Sequence, residues 1–523
     1  MTHVNDGEAE KCLKEPKKEE VESATEVAAS IFDLRFDPSN KSNKNTQKKL
    51  YPQILACIAT ASFHLPVGIV VAYSAILIPQ LEHSQEIPVT KEQTGWIASL
   101  PVMVVPIGAL LTGLCMDKIG RLNTIRVACV PYIIGWILIA LADNIWMLYI
   151  GRFLTGFTLA MGPSPAIVYI TEVARPDLRG SLICTGPSMT SFGMLLIYIK
   201  GAMLYWRTVA WLGIAYCILP ILFMFLWAPE SPVWLLSKGK KEKALKSFKF
   251  LARADEDDGI AERQVASVLK EIVSKRANVD KEDPLITRFV QGFKKPTGYK
   301  PLFILVMLFF FQQYAGIYIT IFYAVTFFEE VNSGLDPYVC TIMIGLIRML
   351  VGLVTSVLLK RYGRRILCIS SGLGMTVMLT ISAYYTRLIA IGELSSSWIP
   401  VACMLMYMSL SVIGLMSIPW TMTAELFPLE IRGLAQGLVV SLAHVIMFSA
   451  LKIYRTLPDL LGGSWGVQLL FACMSLGSVL FVYIFLPETH MKKLSDIQNY
   501  FNYNTIYLRA KRHSTNNNGS HVI

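Results

Sequence analysis

A glutamate and an arginine occur at the same spacing in two distant parts of the chain. Glu172 lies seven positions before Arg179, and Glu425 lies seven positions before Arg432. Carboxylate and guanidinium groups form charge-assisted, hydrogen-bonded pairs. The chemistry that this repeat supports is therefore reversible ion pairing, which can hold one state of a molecule closed until another state is favoured.

Gln312, Gln313 and Trp420 form a second group, and all three lie in long apolar segments. Amide groups form paired hydrogen bonds with hydroxyl groups, and an aromatic ring stacks on an apolar ring face. An unpartnered amide is costly in such a segment, so we expect the glutamines to line a wet cavity or an interhelical contact. The group is suited to hydrogen bonding and to aromatic stacking, with core packing as the alternative role of Trp420.

Composition indicates which elements position these residues. The 523-residue chain is 54% hydrophobic and 16% charged, and its mean hydropathy of +0.49 is too apolar for a soluble domain of this size. A helix needs about 20 mainly apolar residues to cross a bilayer. Twelve such runs occur, approximately at 54–80, 96–116, 124–142, 146–170, 181–203, 206–227, 301–328, 337–359, 366–386, 398–423, 433–454 and 465–486. The sequence predicts an all-α membrane protein with the lipid bilayer as a partner.

Basic residues are concentrated on one side of the predicted spans. The loops on this side contain Lys118, Arg175, Lys360 and Arg361, together with the lysine-rich stretch 238–299. Because cytoplasmic loops carry the excess of Lys and Arg, we expect this side and both termini to be cytoplasmic, in the plasma membrane. The net charge of +11 then reflects membrane orientation, and we expect no nucleic-acid partner.

The charged motifs recur in one order in the first and second parts of the chain. Residues 117–121 follow the second span as residues 360–364 follow the eighth, and the Pro-Glu-Ser of 229–231 corresponds to the Pro-Glu-Thr of 487–489. Such a parallel repeat predicts two six-helix halves with a solute site between them near the bilayer midplane. The predicted parts are an N-terminal cytoplasmic tail at 1–50, a first half at 51–227, cytoplasmic linker helices at 228–299, a second half at 300–486 and a C-terminal cytoplasmic tail at 487–523.

Short motifs, most of them at span ends, resemble those of a known family. They are Gly113 to Arg121, Gly151-Arg152, Glu172 to Arg179, Pro229 to Pro232, Gln312-Gln313, Gly363 to Arg365, Pro419-Trp420, Glu425 to Arg432 and Pro487 to Thr489. By these motifs, which run from about 50 to 490, the chain resembles the sugar porters of the major facilitator superfamily. With Ala72-Tyr73 and a long N-terminal tail, it resembles the insect facilitated trehalose carriers among them. The resemblance implies the twelve-helix major facilitator fold.

The resemblance also implies a charge network that holds the cytoplasmic side shut. Its members would pair across or within the halves, and they are Asp117, Arg121, Glu172, Arg179, Arg364, Glu425 and Arg432. The alternative role of the basic residues on this side is membrane orientation alone. Lys360 stands where the family has an acid, so we expect the network to differ between the halves.

A substrate site is implied as well, with several departures from the family. Its expected members are Gln312, Gln313, Tyr318, Arg348, Trp420 and His444. Tyr318 and Arg348 stand where the family has asparagines, and Ala443-His444 stands where it has Asn-Trp, although Tyr318 and His444 still offer hydrogen bonds and stacking faces. Arg348 either binds an anionic or strongly hydrogen-bonding solute or is neutralised by helix carbonyls.

The expected function is alternating-access transport of a hexose, trehalose or polyol by a facilitative uniporter. A proton-coupled symporter is the alternative; the first span contains no acid, but His64 and His444 leave a histidine-based proton path open. A sensor without net flux is a further alternative. We expect no enzyme, because no His-Glu-x-x-His motif occurs and the predicted spans contain no paired acids that could supply a metal site or a general base. We expect no cofactor and no metal, and the sequence leaves the oligomeric state open.

Overall fold

The computed structural model describes residues 44–84, 86–252, 265–269, 285–428, 431–492, 494–504 and 506–507. Within these ranges the chain forms helices and no β-strand. The all-α prediction is therefore confirmed. The first described helix begins at Lys44, inside the predicted N-terminal tail, and residues 1–43 of that tail lie outside the described residues.

The first half of the chain forms nine helices that build six spans. They are α1 (Lys44–Ala61), α2 (His64–His83), α3 (Lys91–Met103), α4 (Val105–Ile119), α5 (Arg121–Ala140), α6 (Ile145–Met161), α7 (Pro163–Val173), α8 (Pro176–Met203) and α9 (Trp206–Trp227). The first, second and fourth spans are each a pair of helices. Pro66, Pro106 and Pro163 lie in the first turn of the second helix of each pair, where proline is tolerated but interrupts the hydrogen bonding of the preceding turn.

The interval between the halves contains short helices beneath the spans. They are α10 (Pro232–Ser237), α11 (Lys241–Ala252) and α12 (Leu285–Lys294). Residues 265–269 are also helical, and Val265 packs with Trp234, Leu235 and Ala244 in a small apolar cluster. This cluster lets a polar interval bury its few apolar side chains, as the spacing of Val265 and its neighbours indicates.

The second half repeats the arrangement. Its helices are α13 (Pro296–Tyr314), α14 (Ile317–Phe322), α15 (Ala324–Val331), α16 (Pro337–Arg361), α17 (Arg364–Ala390), α18 (Ile399–Ile413), α19 (Ile418–Glu425), α20 (Arg432–Tyr454), α21 (Leu457–Leu461), α22 (Ser464–Phe485) and α23 (Leu494–Tyr503). Among the described residues, eleven helical segments are long and apolar enough to cross a membrane. They correspond to all of the predicted spans except the seventh.

The seventh span is helical but divided into α13, α14 and α15. The first division falls at Gly316, which has a φ of +83° that glycine adopts without strain. The tenth span is also divided, between α18 and α19. Irregular backbone at membrane depth is tolerated only where protein or a water-filled cavity satisfies it, so the free backbone groups at both divisions need partners from neighbouring helices or from a cavity.

The two halves pack against each other along three lines. Helix α8 of the first half lies against α16 of the second, α20 of the second half lies against α3, and α2 lies against α14 and α15. Helix α2 is buried along almost its whole length. These contacts enclose a space between the halves at the level of the divided spans.

Candidate functional site

A cavity lies between the two halves, and both contribute to its walls. The first half supplies mainly apolar side chains, namely Val67, Val71, Val102, Leu159, Thr190 and Met194. The second half supplies the polar and aromatic groups together with two apolar side chains, namely Tyr318, Phe322, Arg348, Trp420, His444 and Met447. Four of the six predicted substrate residues are therefore brought together at the interface of the halves.

Trp420 is the centre of the aromatic wall. Its ring makes edge contacts with His444 at 5.5 Å and with Phe309 at 4.8 Å between centroids, and its Nε1 donates to the hydroxyl of Tyr318 at 3.1 Å. Nδ1 of His444 donates to the carbonyl of Val440 at 2.8 Å. Each polar group of the wall is thus held in one orientation, which suits recognition of a ring-shaped solute.

Gln312 and Gln313 lie behind this wall rather than among the lining residues that the structure describes. Gln312 is buried, and its Nε2 donates to the carbonyls of Leu415 and Met416 at 2.8 and 2.9 Å. Those carbonyls belong to the turn between α18 and α19, where the helix no longer pairs them. Gln313 is also buried and donates to Gln312 at 3.2 Å, while its own Oε1 has no partner among the described atoms.

Arg348 connects this turn with the cavity. It projects from α16 as a lining residue and is half-buried. Nη1 lies 3.7 Å from the sulfur of Met416, the residue whose carbonyl Gln312 binds. Gln312 therefore holds the backbone of the residue whose side chain Arg348 contacts.

The repeated charged motifs meet on the face of the molecule that also carries the helices of the interval, which we call the motif face. In the first half, Arg121 binds both carboxylate oxygens of Glu172, with Nη2 to Oε1 at 2.7 Å and Nε to Oε2 at 3.0 Å. The hydroxyl of Ser231 donates to the same carboxylate at 2.5 Å. These three residues tie together the ends of the second, fourth and sixth spans.

The second half builds the equivalent cluster. Arg364 donates from Nη2 to Glu425 at 3.0 Å, and Thr489 donates to the other carboxylate oxygen at 2.6 Å. The described ion pairs of this face each lie within one half. We name the two clusters the first clasp (Arg121, Glu172, Ser231) and the second clasp (Arg364, Glu425, Thr489).

A second carboxylate supports each clasp. Glu230 accepts from the backbone N–H groups of Arg121 and Leu122 at 3.0 and 3.2 Å, and Glu488 accepts from those of Arg364 and Arg365 at 2.9 and 3.2 Å. Carboxylates stabilise helix N-termini by satisfying free N–H groups and by opposing the positive end of the helix dipole.

Glycine at the start of each of these helices leaves room for the capping carboxylate. A Cβ atom on Gly120, which has a φ of +103°, would lie 2.6 Å from Oε2 of Glu230, and one on Gly363 would overlap Glu488 in the same way. The Gly-Arg pairs of the motifs are therefore needed for both backbone approach and ion pairing.

The remaining predicted members of the network bind backbone. Arg179 donates to the carbonyl of Ala174 at 3.4 Å, and Arg432 donates to that of Phe427 at 3.3 Å. The carboxylate of Asp117 is exposed, and its backbone carbonyl accepts from Nε1 of Trp234 at 3.1 Å. These contacts hold the ends of the spans without joining the halves.

Ion pairs join the halves on the other side of the molecule, which we call the opposite face. Arg455 pairs with Glu82 of the first half at 2.5 Å and also lies 3.8 Å from Glu330 of its own half. Lys91 pairs with Asp459 at 2.9 Å, and Lys452 pairs with Glu92 at 3.7 Å. The opposite face is therefore closed by contacts between the halves.

Two groups of functional residues were not predicted as site members. Ser231, Glu230, Thr489 and Glu488 lie in the repeated motifs at 229–231 and 487–489, so recurrence of their types at matching span ends was the available signal. Arg455 and its partners Glu82 and Glu330 lie at the ends of helices, in positions of mixed charge that do not repeat between the halves. Their pairing follows only from the packing of α2, α15 and α20.

Comparison with known proteins supports the same fold and class. The family model described as sugar (and other) transporter matches residues 27–501. The facilitated trehalose transporter Tret1-2 homolog of Drosophila sechellia is 31% identical over 452 residues, covering 86% of this chain and 90% of that protein. The facilitated trehalose transporter Tret1 of Polypedilum vanderplanki is 30% identical over 455 residues, covering 86% and 88%.

Some similar proteins are longer. The chain covers 51% of the facilitated trehalose transporter Tret1 of Drosophila willistoni, with 31% identity.

Among solved structures, the inward open conformation of the xylose transporter XylE from E. coli superposes with a TM-score of 0.68 at 20% identity, covering 85% of this chain and 98% of that chain. This likeness shows that the twelve-helix arrangement is the major facilitator fold.

Proposed function

The chain belongs to the family of sugar (and other) transporters, and we propose that it moves a sugar across a membrane by facilitated diffusion. It is an integral membrane protein of a transporter family, not an enzyme family. The observation that carries the proposal is the cavity between the halves, which both halves line. A site shared in this way is exposed to one side or the other when the halves rock about it.

The proposed orientation of the protein in the membrane follows from the distribution of its basic residues. The motif face carries the basic loops and the lysine-rich interval, and cytoplasmic loops carry the excess of Lys and Arg. We therefore assign the motif face to the cytoplasm, with both termini on that side, and place the protein in the plasma membrane. The state described by the structure is then closed toward the exterior, because the ion pairs of the opposite face join the halves.

A hexose or a disaccharide such as trehalose is the proposed solute class. Curated proteins at 30–31% identity are named facilitated trehalose transporters. Uniport is favoured over proton symport because the lining residues that the structure describes contain neither Asp nor Glu. Ser74 and Ala75 follow Tyr73 in α2, so an acid is also lacking at the equivalent depth of the first span.

Six residues form the proposed binding site, in two layers. Tyr318, Arg348, Trp420 and His444 contact the solute from the cavity wall. Gln312 and Gln313 hold the turn between α18 and α19 behind it and are placed to reorganise when a solute enters, because Oε1 of Gln313 has no described partner. The clasps keep the helix ends of each half together during rocking.

The test is uptake of labelled glucose, fructose, trehalose and inositol into cells that lack their own transporters. We expect at least one of these solutes to enter saturably, to reach equilibrium without accumulating, and to be unaffected when the proton gradient is collapsed. Trp420→Ala removes the stacking face and is expected to lower uptake about tenfold. Trp146→Ala is the matched control, because Trp146 is 69% exposed at the end of α6 and away from the cavity.

Other outcomes select the alternatives. Accumulation above equilibrium that disappears with the gradient would establish proton symport, and His444→Phe would then be the variant of interest. Solute-dependent thermal stabilisation of the purified protein without uptake would establish a sensor.

A further inference from the structure

Among the arginines of the spans, Arg152 and Arg348 lie farthest from the span ends, and their surroundings differ. Arg152 is fully buried, and its guanidinium donates to the carbonyls of Ile97 and Val70 at 3.1 and 3.0 Å and to the hydroxyl of Ser74 at 2.5 Å. Its charge is compensated by oxygen acceptors within the first half. Arg152 is therefore a structural cation.

Arg348 is not compensated in this way. The acceptor described for it is the thioether sulfur of Met416 at 3.7 Å, and a thioether is a weak acceptor for a group with five N–H donors. The lining residues that the structure describes include no carboxylate. Arg348 thus presents a positive charge to the space where the solute binds.

None of the other lining groups that the structure describes carries a negative charge, and their described donors are already used. Nε1 of Trp420 is used by Tyr318, Nδ1 of His444 is used by Val440, and Thr190 donates to the carbonyl of Gly186 at 3.3 Å. The rest of the wall is apolar. A cation at membrane depth is costly and faces water or a partner that returns the lost hydration energy.

We infer that the preferred solute of this cavity is a sugar derivative that carries a carboxylate, which Arg348 binds through paired hydrogen bonds. The planar guanidinium matches a carboxylate in two parallel N–H···O bonds. The hydroxylated ring of such a solute lies against Trp420 and His444. A neutral sugar leaves the charge of Arg348 unpaired, and this difference lets the site discriminate the anionic solute from a neutral sugar. The inference rests on the proposed function, since it takes the cavity as the transport site.

A carrier of this kind moves net charge. Uniport of a monoanion transfers one negative charge in each cycle, so its rate depends on membrane potential. Uniport of a neutral sugar does not.

The experiment uses the full chain in proteoliposomes, with labelled glucuronate as the anionic probe and labelled glucose as the neutral probe. We expect glucuronate to enter faster than glucose, and an inside-positive potential set with valinomycin and potassium to accelerate glucuronate alone. Arg348→Met keeps the apolar stem and removes the charge, so glucuronate uptake is expected to fall at least tenfold. Arg348→Lys is expected to retain part of it. Arg126→Met is the matched control, because Arg126 contacts Phe225 and Asn123 away from the cavity.

The outcomes separate this inference from the proposed function. Uptake of glucose in preference to glucuronate, without a potential effect, overturns the inference and leaves sugar transport intact. Uptake of neither probe, nor of the neutral panel above, overturns both. Glucuronate uptake that Arg348→Met leaves unchanged overturns the role of Arg348. If Arg348→Met does not yield monodisperse protein, the thermal stability of the wild-type protein is measured with each probe instead. The inference requires stronger stabilisation by glucuronate than by glucose, and the absence of this difference overturns it.

Discussion

On the motif face, Arg121 and Arg364 pair with carboxylates of their own half, whereas on the opposite face Arg455 and Lys91 pair with carboxylates of the other half. Rocking of two rigid halves preserves every contact within a half and breaks contacts between halves. The first kind of ion pair therefore defines the moving bodies, and the second kind sets the balance between their two arrangements.

Burial differs between the first clasp and the Lys91–Asp459 pair of the opposite face, although Arg455 of that face is only 7% exposed. Both partners of the first clasp are well buried, with Arg121 and Glu172 at 14% and 15% exposure, and a pair that never separates can be deeply placed. On the opposite face, Lys91 and Asp459 are 61% and 62% exposed. Pairs that must separate in each cycle cost less to break when water can replace the partner.

Breaking the first clasp is expected to have the largest effect. Removing one partner of a buried ion pair costs about 3–5 kcal/mol, and partial exposure reduces this to about 2 kcal/mol for Glu172→Gln, equivalent to about 30-fold. We expect uptake to fall by up to that factor, together with a lower thermal unfolding midpoint.

Glu425→Gln provides the internal comparison for this variant. The second clasp makes a single described Arg–Glu hydrogen bond, and Glu425 is 28% exposed, so the loss should be smaller than for Glu172→Gln. Equal losses in the two variants would contradict the assignment of strength from burial and geometry.

Arg455→Ala is expected to change the conformational balance rather than the halves themselves. Arg455 is 7% exposed and pairs with Glu82 across the interface, so its removal should favour opening of the opposite face by about 1.4 kcal/mol, or tenfold. The measurement is labelling of a cysteine introduced at Val71, by an impermeant maleimide added from that face, after subtraction of the native cysteine background.

Arg207→Ala is the control for Arg455→Ala, because Arg207 pairs with Glu86 within the first half. Its labelling should match that of wild type. An increase as large as that of Arg455→Ala would show that the opposite face is not held by contacts between halves.

Ser231→Ala is expected to have an intermediate effect. The hydroxyl donates to Glu172 at 2.5 Å, and a hydrogen bond to a charged group contributes about 1.5 kcal/mol. Because the Arg121 contacts remain, we expect a loss of uptake of roughly fivefold. Ser231→Thr, which has the residue type of the second clasp, should restore uptake; failure of this rescue would argue against a role for the hydroxyl.

The clasps show how far sequence reasoning could go. Paired motifs predicted the twelve-helix repeat and brought attention to Glu172 and Glu425, because the same types recur at equivalent span ends. They did not distinguish pairing within a half from pairing across halves, since both arrangements use the same residues. That choice depends on the rotation of one half against the other, which no local pattern encodes.

The cavity shows the complementary limit. Residue type and the resemblance to the sugar porters together singled out Arg348 and Trp420, and the structure places both in one wall. Residue type also suggested Gln312 for that wall, whereas the structure uses its amide to satisfy carbonyls released at the turn between α18 and α19. The position of that turn follows from tertiary packing, so its hydrogen-bonding demand was not visible in the sequence.

Exchange of the charges of Lys91 and Asp459 tests the most exposed of the ion pairs that join the halves on the opposite face. An exposed ion pair contributes about 0–1 kcal/mol, so Lys91→Asp alone should increase maleimide labelling from the opposite face by about twofold. The doubly exchanged variant, with Asp459→Lys added, should return labelling to the wild-type level because the attraction is restored with reversed polarity. The twofold change should also shrink when salt is raised, since exposed pairs are screened. A change as large as that of Arg455→Ala, or one insensitive to salt, would mean that the exposure of an ion pair does not determine its contribution to closing the opposite face. The contrast between permanent and separable ion pairs would then rest only on whether a pair lies within one half or between the halves.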